Sequence, residues 1–219
     1  MVFASIGNGM FWARADGGGQ PQPLTQSKMS QVPWSFPHDG KRLAYYEISG
    51  GPPQIWTVPI DQDGGQLKAG KAEPFRKSQF QDQVPAFSSD GRWLAYVSNS
   101  SGKNEVYVRA FPDNGSQWQI SNNGGADPRW SPNGRDLLYT SGDQIMAAGY
   151  TVKGDVFVPE KPGVWIAKLG GTQWDVDPSG NRVAVITPED APGTPKADHT
   201  FVLLENFFDD LRRRVPLEK

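Results

Sequence analysis

A short run of consecutive apolar residues recurs along the chain, and each copy follows a polar turn that ends in glycine. The clearest copy is residues 87–97, Phe-Ser-Ser-Asp-Gly-Arg-Trp-Leu-Ala-Tyr-Val, and similar stretches surround Gly40, Gly134 and Gly180. The four glycines, with Gly91 as the second, follow one another at intervals of about 45 residues. Strand-like units with a period in the forties predict the blades of a β-propeller.

Each copy joins a hairpin turn to a strand that is apolar at every position. The turn residues are Asp39 and Gly40, Asp90 and Gly91, Asn133 and Gly134, and Ser179 and Gly180. Asp and Asn bond to the backbone beside them, and Gly adopts positive φ, as hairpin turns require. A strand with one wet face should alternate, whereas residues 94–97 are apolar throughout. We therefore expect both faces to be buried, as they are in the inner strands of propeller blades.

The repeats predict an all-β propeller of four-stranded antiparallel blades over residues 1–205. The blades are placed at about 1–28, 30–78, 82–123, 125–169 and 172–205, with the first and the last incomplete. Because the first blade lacks its first strand, we expect Met1 to be an internal start or a boundary within a longer chain. The ring either closes with about five blades or belongs to a larger ring. An open ring should form a homodimer or aggregate.

The C-terminal stretch departs from the repeat. Residues 206–215 predict a short amphipathic helix, because their apolar side chains share one helical face. Asn206 suits the N-cap, and the arginines near the C-terminal end favour the helix dipole. We expect this helix to pack against the propeller as a lid, with a docking element for a partner as the alternative.

Composition agrees with short strands and excludes several classes of partner. The 219 residues include 25 Gly, 19 Pro and no Cys, and the formal net charge is −2. Without cysteine there is no disulfide framework and no thiolate metal site. A charge this small provides no field for nucleic acid or for an anionic membrane surface. No apolar run approaches the length of about 18 residues that a membrane span needs, so none is predicted.

Two pairs of carboxylates are the candidate metal ligands. Asp61 and Asp63 precede Gly64, as at the start of a calcium loop, and Asp175 and Asp177 lie on one side of a strand end. The ordinary interpretation is an interstrand turn for the first pair, and solvation or turn hydrogen bonds for the second. We therefore predict no cofactor, with calcium as the alternative.

The remaining candidate chemistry also has an ordinary interpretation. His38 and His199 are isolated, and the sequence contains no nucleophile elbow, phosphate-binding loop or kinase motif. Arginines that recur near the hairpins are predicted to form surface ion pairs, or alternatively a ring that reads a ligand at one mouth: Arg42, Arg92, Arg129, Arg135 and Arg182. Tryptophans predicted in the core between blades are Trp34, Trp56, Trp93, Trp118, Trp130, Trp165 and Trp174.

The turns and the strands that follow them carry a family resemblance. Residues 128–135 with Leu138 and Tyr139, together with residues 88–98, resemble the WD40-like (PD40) repeats of TolB-type β-propellers. This resemblance implies protein partners.

A narrower resemblance involves later segments of the chain. Residues 104–112 and 118–121, with the terminal residues 202–212, are similar to the C-terminal propeller of certain bacterial serine/threonine protein kinases. It implies a bacterial signalling parent in which the propeller is a sensor or scaffold and the kinase domain lies outside this chain. We favour a periplasmic or extracytoplasmic location.

From these observations we predict a non-enzymatic β-propeller module that binds a protein or a small ligand at a propeller face. One alternative is a propeller enzyme resembling lactonases or lyases, with a metal at the central channel. Another is a propeller accessory to a peptidase. An enzyme predicts acids, Asn or His converging on a cation in the channel, whereas a binding module predicts a mouth of mixed polar and aromatic residues.

Overall fold

The computed structural model describes residues 1–5, 7–171, 173–180 and 182–186. Every regular element within these residues is a β-strand, and all pairings are antiparallel, in five sheets that follow one another along the chain. The all-β propeller prediction is confirmed. The predicted helix at 206–215 and the end of the last predicted blade lie outside the described residues.

The sheets correspond to successive blades. Blade 1 contains β1 (Val2–Ser5), β2 (Gly9–Trp12) and β3 (Gln22–Pro23). Blade 2 contains β4 (Ser30–Ser35), β5 (Arg42–Ile48), β6 (Gln54–Asp63), β7 (Gln66–Ala69) and β8 (Glu73–Pro74). Blade 3 contains β9 (Asp82–Phe87), β10 (Trp93–Ser98), β11 (Glu105–Ala110) and β12 (Gln117–Gln119). Blade 4 contains β13 (Ala126–Trp130), β14 (Asp136–Ser141), β15 (Gln144–Lys153), β16 (Val156–Pro159) and β17 (Gly163–Ile166). Blade 5 contains β18 (Gln173–Val176) and β19 (Val183–Ile186).

The first strands of blades 2, 3 and 4 lie next to one another at the centre of the arrangement. Strand β9 contacts both β4 and β13, so these strands line the region where a propeller has its channel. The hairpins that lead away from them turn at Gly40, Gly91, Gly134 and Gly180, all with φ between 65° and 74°. Such left-handed values suit glycine because it has no Cβ.

The second strands form the core between blades. All residues of β10 are buried, and on β5 and β14 the consecutive residues of both faces are at most 3% exposed: Leu43, Ala44, Tyr45, Leu137, Leu138 and Tyr139. This confirms that the continuous apolar runs in blades 2 to 4 are covered on both faces. The expectation is wrong for β19, in which partly buried and exposed residues alternate. In the described part of the chain β19 pairs only with β18, and its partly buried valines pack on one side against Trp174.

Two hairpins extend beyond the predicted blades. Strands β6 and β15 each continue past their outer partner and fold back at a two-residue turn to pair with β7 and β16. The β6–β7 extension packs Ile60 and Leu67 against Met10 and Trp12 of blade 1. The β15–β16 extension packs Phe157 against blade 3. Each extension therefore fastens its own blade to the preceding one.

An aromatic cluster holds the β15–β16 extension. Phe157 is 1% exposed, and its ring centroid lies 5.0 to 6.0 Å from those of Trp93, Trp118, Trp130 and Tyr150. At the tip, Arg92 of blade 3 donates to the Gly154 carbonyl at 2.9 Å and to the Asp155 carboxylate at 3.0 Å. The tip contact is exposed, so most of the stabilisation comes from the rings.

A buried carboxylate holds the connection between blades 3 and 4. Glu105, at the start of β11, is 0% exposed and accepts a hydrogen bond from the Ser121 hydroxyl. Its other oxygen accepts from the Gly124 backbone N–H at 3.0 Å and lies 3.4 Å from the Lys103 ammonium. The Ser121 hydroxyl in turn accepts from the Val106 N–H at 2.7 Å. The carboxylate thus satisfies polar groups in the connection that leads from blade 3 to blade 4.

Buried tyrosines predict an alkaline loss of stability. Burial raises the pKa of Tyr96 to about 12, although Arg76 and Arg109 act against it, and raises the pKa of Tyr139 to about 12 with help from Glu105. The usual pKa is about 10. The stabilisation is therefore complete below about pH 10, where both states are neutral, and is lost as pH rises towards 12, because the unfolded chain ionises first.

We expect the free energy of unfolding, measured by urea titration at successive pH values, to fall over this window. Tyr96→Phe should make that fall shallower. An equally steep fall in the unchanged chain and in Tyr96→Phe would contradict this expectation.

Candidate functional site

One residue of each repeat faces the central region, five positions before the turn glycine. These four residues, the channel row, are Ser35, Ala86, Arg129 and Asp175. The row is connected from blade to blade. The Phe87 N–H donates to the Ser35 hydroxyl at 3.0 Å, and the Trp130 indole N–H donates to the Ala86 carbonyl at 2.9 Å. Arg129 and Asp175 face each other across blades 4 and 5 at 3.5 Å.

Bulges in the first strands shape this surface. The pairing of β4, β9 and β13 with their second strands shifts register near Trp34, Val84 and Asp127. Val84 and Asp127 have positive φ, 55° and 47°, which side-chain-bearing residues seldom adopt. Bulges re-aim side chains, and residues held in such conformations are concentrated at functional sites.

Two adjacent cavities open beside the channel row. The first, of about 350 Å³, lies between the hairpins of blades 2 and 3 and the first strand of blade 4, and is lined in part by Phe36, His38 and Ser89. The second, of about 490 Å³, lies between blades 4 and 5 and is lined in part by Asp127 and Ile186. Trp34, Arg129 and Asp175 line both. The two cavities are therefore parts of one concave surface, the channel mouth.

Arg129 is the cation of the channel mouth. Its guanidinium carbon lies 5.0 Å above the Trp174 ring, and its Nη1 is 3.5 Å from the Asp175 carboxylate, a long contact for a hydrogen bond. Its Nε is buried without a hydrogen-bond partner in the described part of the chain. Arg129 is thus held by a ring more than by its carboxylate.

Two side chains of the channel mouth are open to a ligand, the ring of Trp34 and the carboxylate of Asp127. Trp34 is 40% exposed, and its ring lies 5.9 Å from that of Tyr46. Burial raises the pKa of Tyr46, and the Asp127 carboxylate, on the opposite side of the mouth, raises it further. The partly buried Asp127 side chain makes no hydrogen bond or ion pair with the described residues. This leaves an aromatic face and a free carboxylate together.

The four candidate metal ligands lie apart. Asp61 and Asp63 are exposed strand residues of the β6–β7 extension, whose turn is Gly64–Gly65, and Asp63 pairs with Lys68 at 2.9 Å. The expected interstrand turn is present but begins later, because β6 continues through both aspartates and the turn to β7 is Gly64–Gly65. Asp177 accepts hydrogen bonds from Ser179 and Arg182 beside the last hairpin turn, whereas Asp175 belongs to the channel mouth.

A metal site would need several of these side chains to converge on one point. Among residues 1–186, where described, no group of three or more His, Cys, Asp or Glu is placed to hold a metal ion. Calcium binding stays a prediction.

The predicted arginines and tryptophans separate into two groups. Arg42 donates to Thr57 and lies over the Phe111 ring. Arg92 holds the β15–β16 extension, Arg135 is exposed in the turn before β14, and Arg182 pairs with Asp177. Arg129 is the member of this set that lines the channel mouth. Trp93 and Trp174 are buried as expected. For Trp34 the core assignment is wrong, since its bulge directs the ring into the mouth.

The predicted turn residues form hydrogen bonds just after the C-terminal ends of the first strands. Asp39, Asp90 and Asn133 each accept a hydrogen bond from the backbone N–H two residues on, at 2.9 to 3.1 Å. In the fourth turn Ser179 instead donates to Asp177. These contacts place Phe87 and Trp130 at the rim of the mouth.

No helix in the described ranges is long and apolar enough to cross a membrane.

Comparisons with known proteins agree on one architecture. The family model described as TolB beta propeller domain matches residues 10–155. The "Protein TolB homolog" of Chlamydia abortus is 28% identical over 105 residues, which are 47% of this chain and 23% of that protein. The chain therefore spans less than a quarter of the length of this curated relative.

Solved structures show the same fold. The putative TolB from Agrobacterium tumefaciens superposes with a TM-score of 0.53 at 18% identity, covering 74% of this chain and 60% of that one. TolB from Acinetobacter baumannii gives 0.51 at 20% identity, covering 84% and 44%. At these identities the likeness concerns the fold alone.

Proposed function

Because the chain belongs to the TolB β-propeller domain family, we propose that it is a non-enzymatic module that binds a protein partner at the channel mouth. The observation that carries this proposal is the exposure of aromatic side chains on a concave surface. Trp34 is 40% exposed and Phe36 is 38% exposed, and both line the same cavity as Arg129. Trp, Tyr and Arg dominate the binding energy of protein interfaces, and central pockets are where they act.

The parent protein is a narrower part of the proposal. The segments similar to kinase-linked propellers support a bacterial signalling protein in which this module is the sensor or scaffold. An extracytoplasmic location belongs to the same proposal. The family match concerns TolB-type propellers in general, so the kinase parent rests on the sequence resemblance alone.

A photo-crosslinking experiment tests the binding surface. A benzophenone amino acid is placed at position 34 or, as the control, at position 48, because Ile48 is similarly exposed (43%) but lines neither cavity of the mouth. We expect one discrete protein from source-cell extract to crosslink from position 34 and not from position 48. With that protein purified, Trp34→Ala should weaken binding at least tenfold, as expected for a central aromatic anchor.

Two results would contradict the proposal. One is equal crosslinking from positions 34 and 48, and the other is a purified partner that binds Trp34→Ala as tightly as the unchanged chain. Turnover of a lactone or an oligosaccharide that is lost on changing Asp127 or Asp175 would instead favour the enzyme alternative.

A further inference from the structure

We propose that the cavity between Trp34 and Asp127 binds the cationic side chain of an arginine or lysine in the partner. This inference rests on the proposed function, since it specifies the chemistry of the partner segment that enters the channel mouth. It begins from the carboxylate at position 127 and from the ring opposite.

The Asp127 carboxylate lacks a counter-charge. It is partly buried in the cavity of about 490 Å³ and makes no hydrogen bond or ion pair with the described residues. Leaving a charge partly desolvated and unpaired is costly, and so is the positive φ of 47° that holds the residue in its bulge. A ligand cation placed at this carboxylate would offset the first cost and gain a charge-assisted hydrogen bond.

The aromatic side of the cavity suits the same ligand. Trp34 is 40% exposed and lines the cavity, and the Tyr46 ring packs against it with centroids 5.9 Å apart. A guanidinium or ammonium group over a tryptophan face is attracted by the ring quadrupole. The protein already uses this contact nearby, where Arg129 lies 5.0 Å above Trp174.

The charge balance of the cavity favours a cation over an anion. Asp127, Asp175 and Arg129 are its ionisable residues, which leaves a formal excess of one negative charge. Arg129 is turned to Trp174 and Asp175, so its charge is already partly compensated. Because the neighbouring cavity of about 350 Å³ shares Trp34, Arg129 and Asp175, it offers room for residues that flank the cation in a peptide chain. This continuity favours a side chain of a protein segment over a free amine.

Capped pentapeptides test the inference directly. Acetyl-Gly-Gly-Arg-Gly-Gly-amide, its citrulline counterpart and its glutamate counterpart are titrated into the whole chain and followed by backbone amide chemical shifts. We expect the arginine peptide to bind at least tenfold more tightly than the neutral citrulline peptide, with an affinity that falls as salt is added. N-acetyl-arginine amide should bind more weakly than the pentapeptide.

Variants locate the site. Asp127→Asn should weaken the arginine peptide at least tenfold, and Asn tolerates positive φ, so the bulge is preserved. Trp34→Ala should weaken it as well. Asp61→Asn, which removes an exposed carboxylate on the β6–β7 extension, should leave the affinity unchanged.

Several outcomes would overturn the inference. These are equal binding of the arginine and citrulline peptides, preference for the glutamate peptide, and an unchanged affinity in Asp127→Asn. Acetyl-arginine amide that binds as tightly as the pentapeptide would assign the site to a free cation and overturn the choice of a partner side chain. A partner that crosslinks at position 34 but binds Asp127→Asn normally would overturn this inference and leave the proposed function intact. Arginine-peptide binding through Asp127 with no partner crosslinked from position 34 would overturn the proposed function while retaining a cation-binding cavity.

Discussion

Replacing Phe157 by Ala is expected to lower the free energy of unfolding by about 3–5 kcal/mol. The ring is 1% exposed and contacts aromatic side chains from blades 3 and 4, so its removal leaves a cavity that rigid neighbours cannot fill. The loss is a large share of the 5–15 kcal/mol by which domains are ordinarily stable. Urea unfolding followed by tryptophan fluorescence measures it, because Trp93 and Trp118 line the cluster.

The adjacent residue provides the matched control. Val158 follows Phe157 on β16 but points to the other face and is 36% exposed. Val158→Ala should therefore change the free energy of unfolding by less than about 1 kcal/mol. Equal losses in the two variants would show that the extension contributes through its backbone and not through the aromatic cluster.

Replacing Glu105 by Leu is expected to cost about 3 kcal/mol, for a different physical reason. The change keeps the volume but removes the acceptor for the Ser121 hydroxyl and the Gly124 N–H, and leaves the Lys103 ammonium without its carboxylate. Buried donors without partners cost more than the hydrogen bonds themselves contribute. Thermal unfolding by calorimetry should show a lower Tm for Glu105→Leu.

Glu105→Gln is the comparison for this second variant. Its amide oxygen still accepts one of the two hydrogen bonds, so about half of the loss or less is expected. A Leu variant as stable as the unchanged chain would show that apolar packing replaces the polar contacts, as happens at some buried ion pairs.

The periodic part of the fold could be predicted because the turn residues, the apolar runs and their spacing all indicate the same elements. Turn residues such as Asp90 and Gly91, and the apolar run that follows them, specify one hairpin and one doubly buried strand. The sequence does not predict the two extensions because their strands are short and, in β7, largely polar. The signal that could have revealed the β6–β7 extension is the Gly64–Gly65 pair, a two-residue turn that favours a hairpin between flanking strands.

The channel mouth is less predictable for a physical reason. Nothing in the sequence distinguishes Trp34 from the tryptophans that are buried. Its exposure follows from the bulge in β4, which the sequence pattern does not show. Asp127 precedes a proline, which disfavours helical backbone but does not indicate positive φ. Arg129 and Asp175 do occupy equivalent repeat positions, so alignment of the repeats on the turn glycines places them together. The site thus depends on departures from the repeat, which a periodic pattern does not contain.

The two extensions also alter how stability is shared around the propeller. Both belong to even-numbered blades and reach back to the preceding odd-numbered one, joining blade 1 to blade 2 and blade 3 to blade 4. In a linear array, local unfolding proceeds in units set by how strongly neighbours are coupled. Blades 2 and 3 also share a buried core that includes Ile55, Phe75 and Tyr96, so the extensions strengthen alternate junctions without isolating pairs of blades. The channel mouth receives residues from both sides of the junction between blades 2 and 3, so a ligand bound there would stabilise a junction that has no extension.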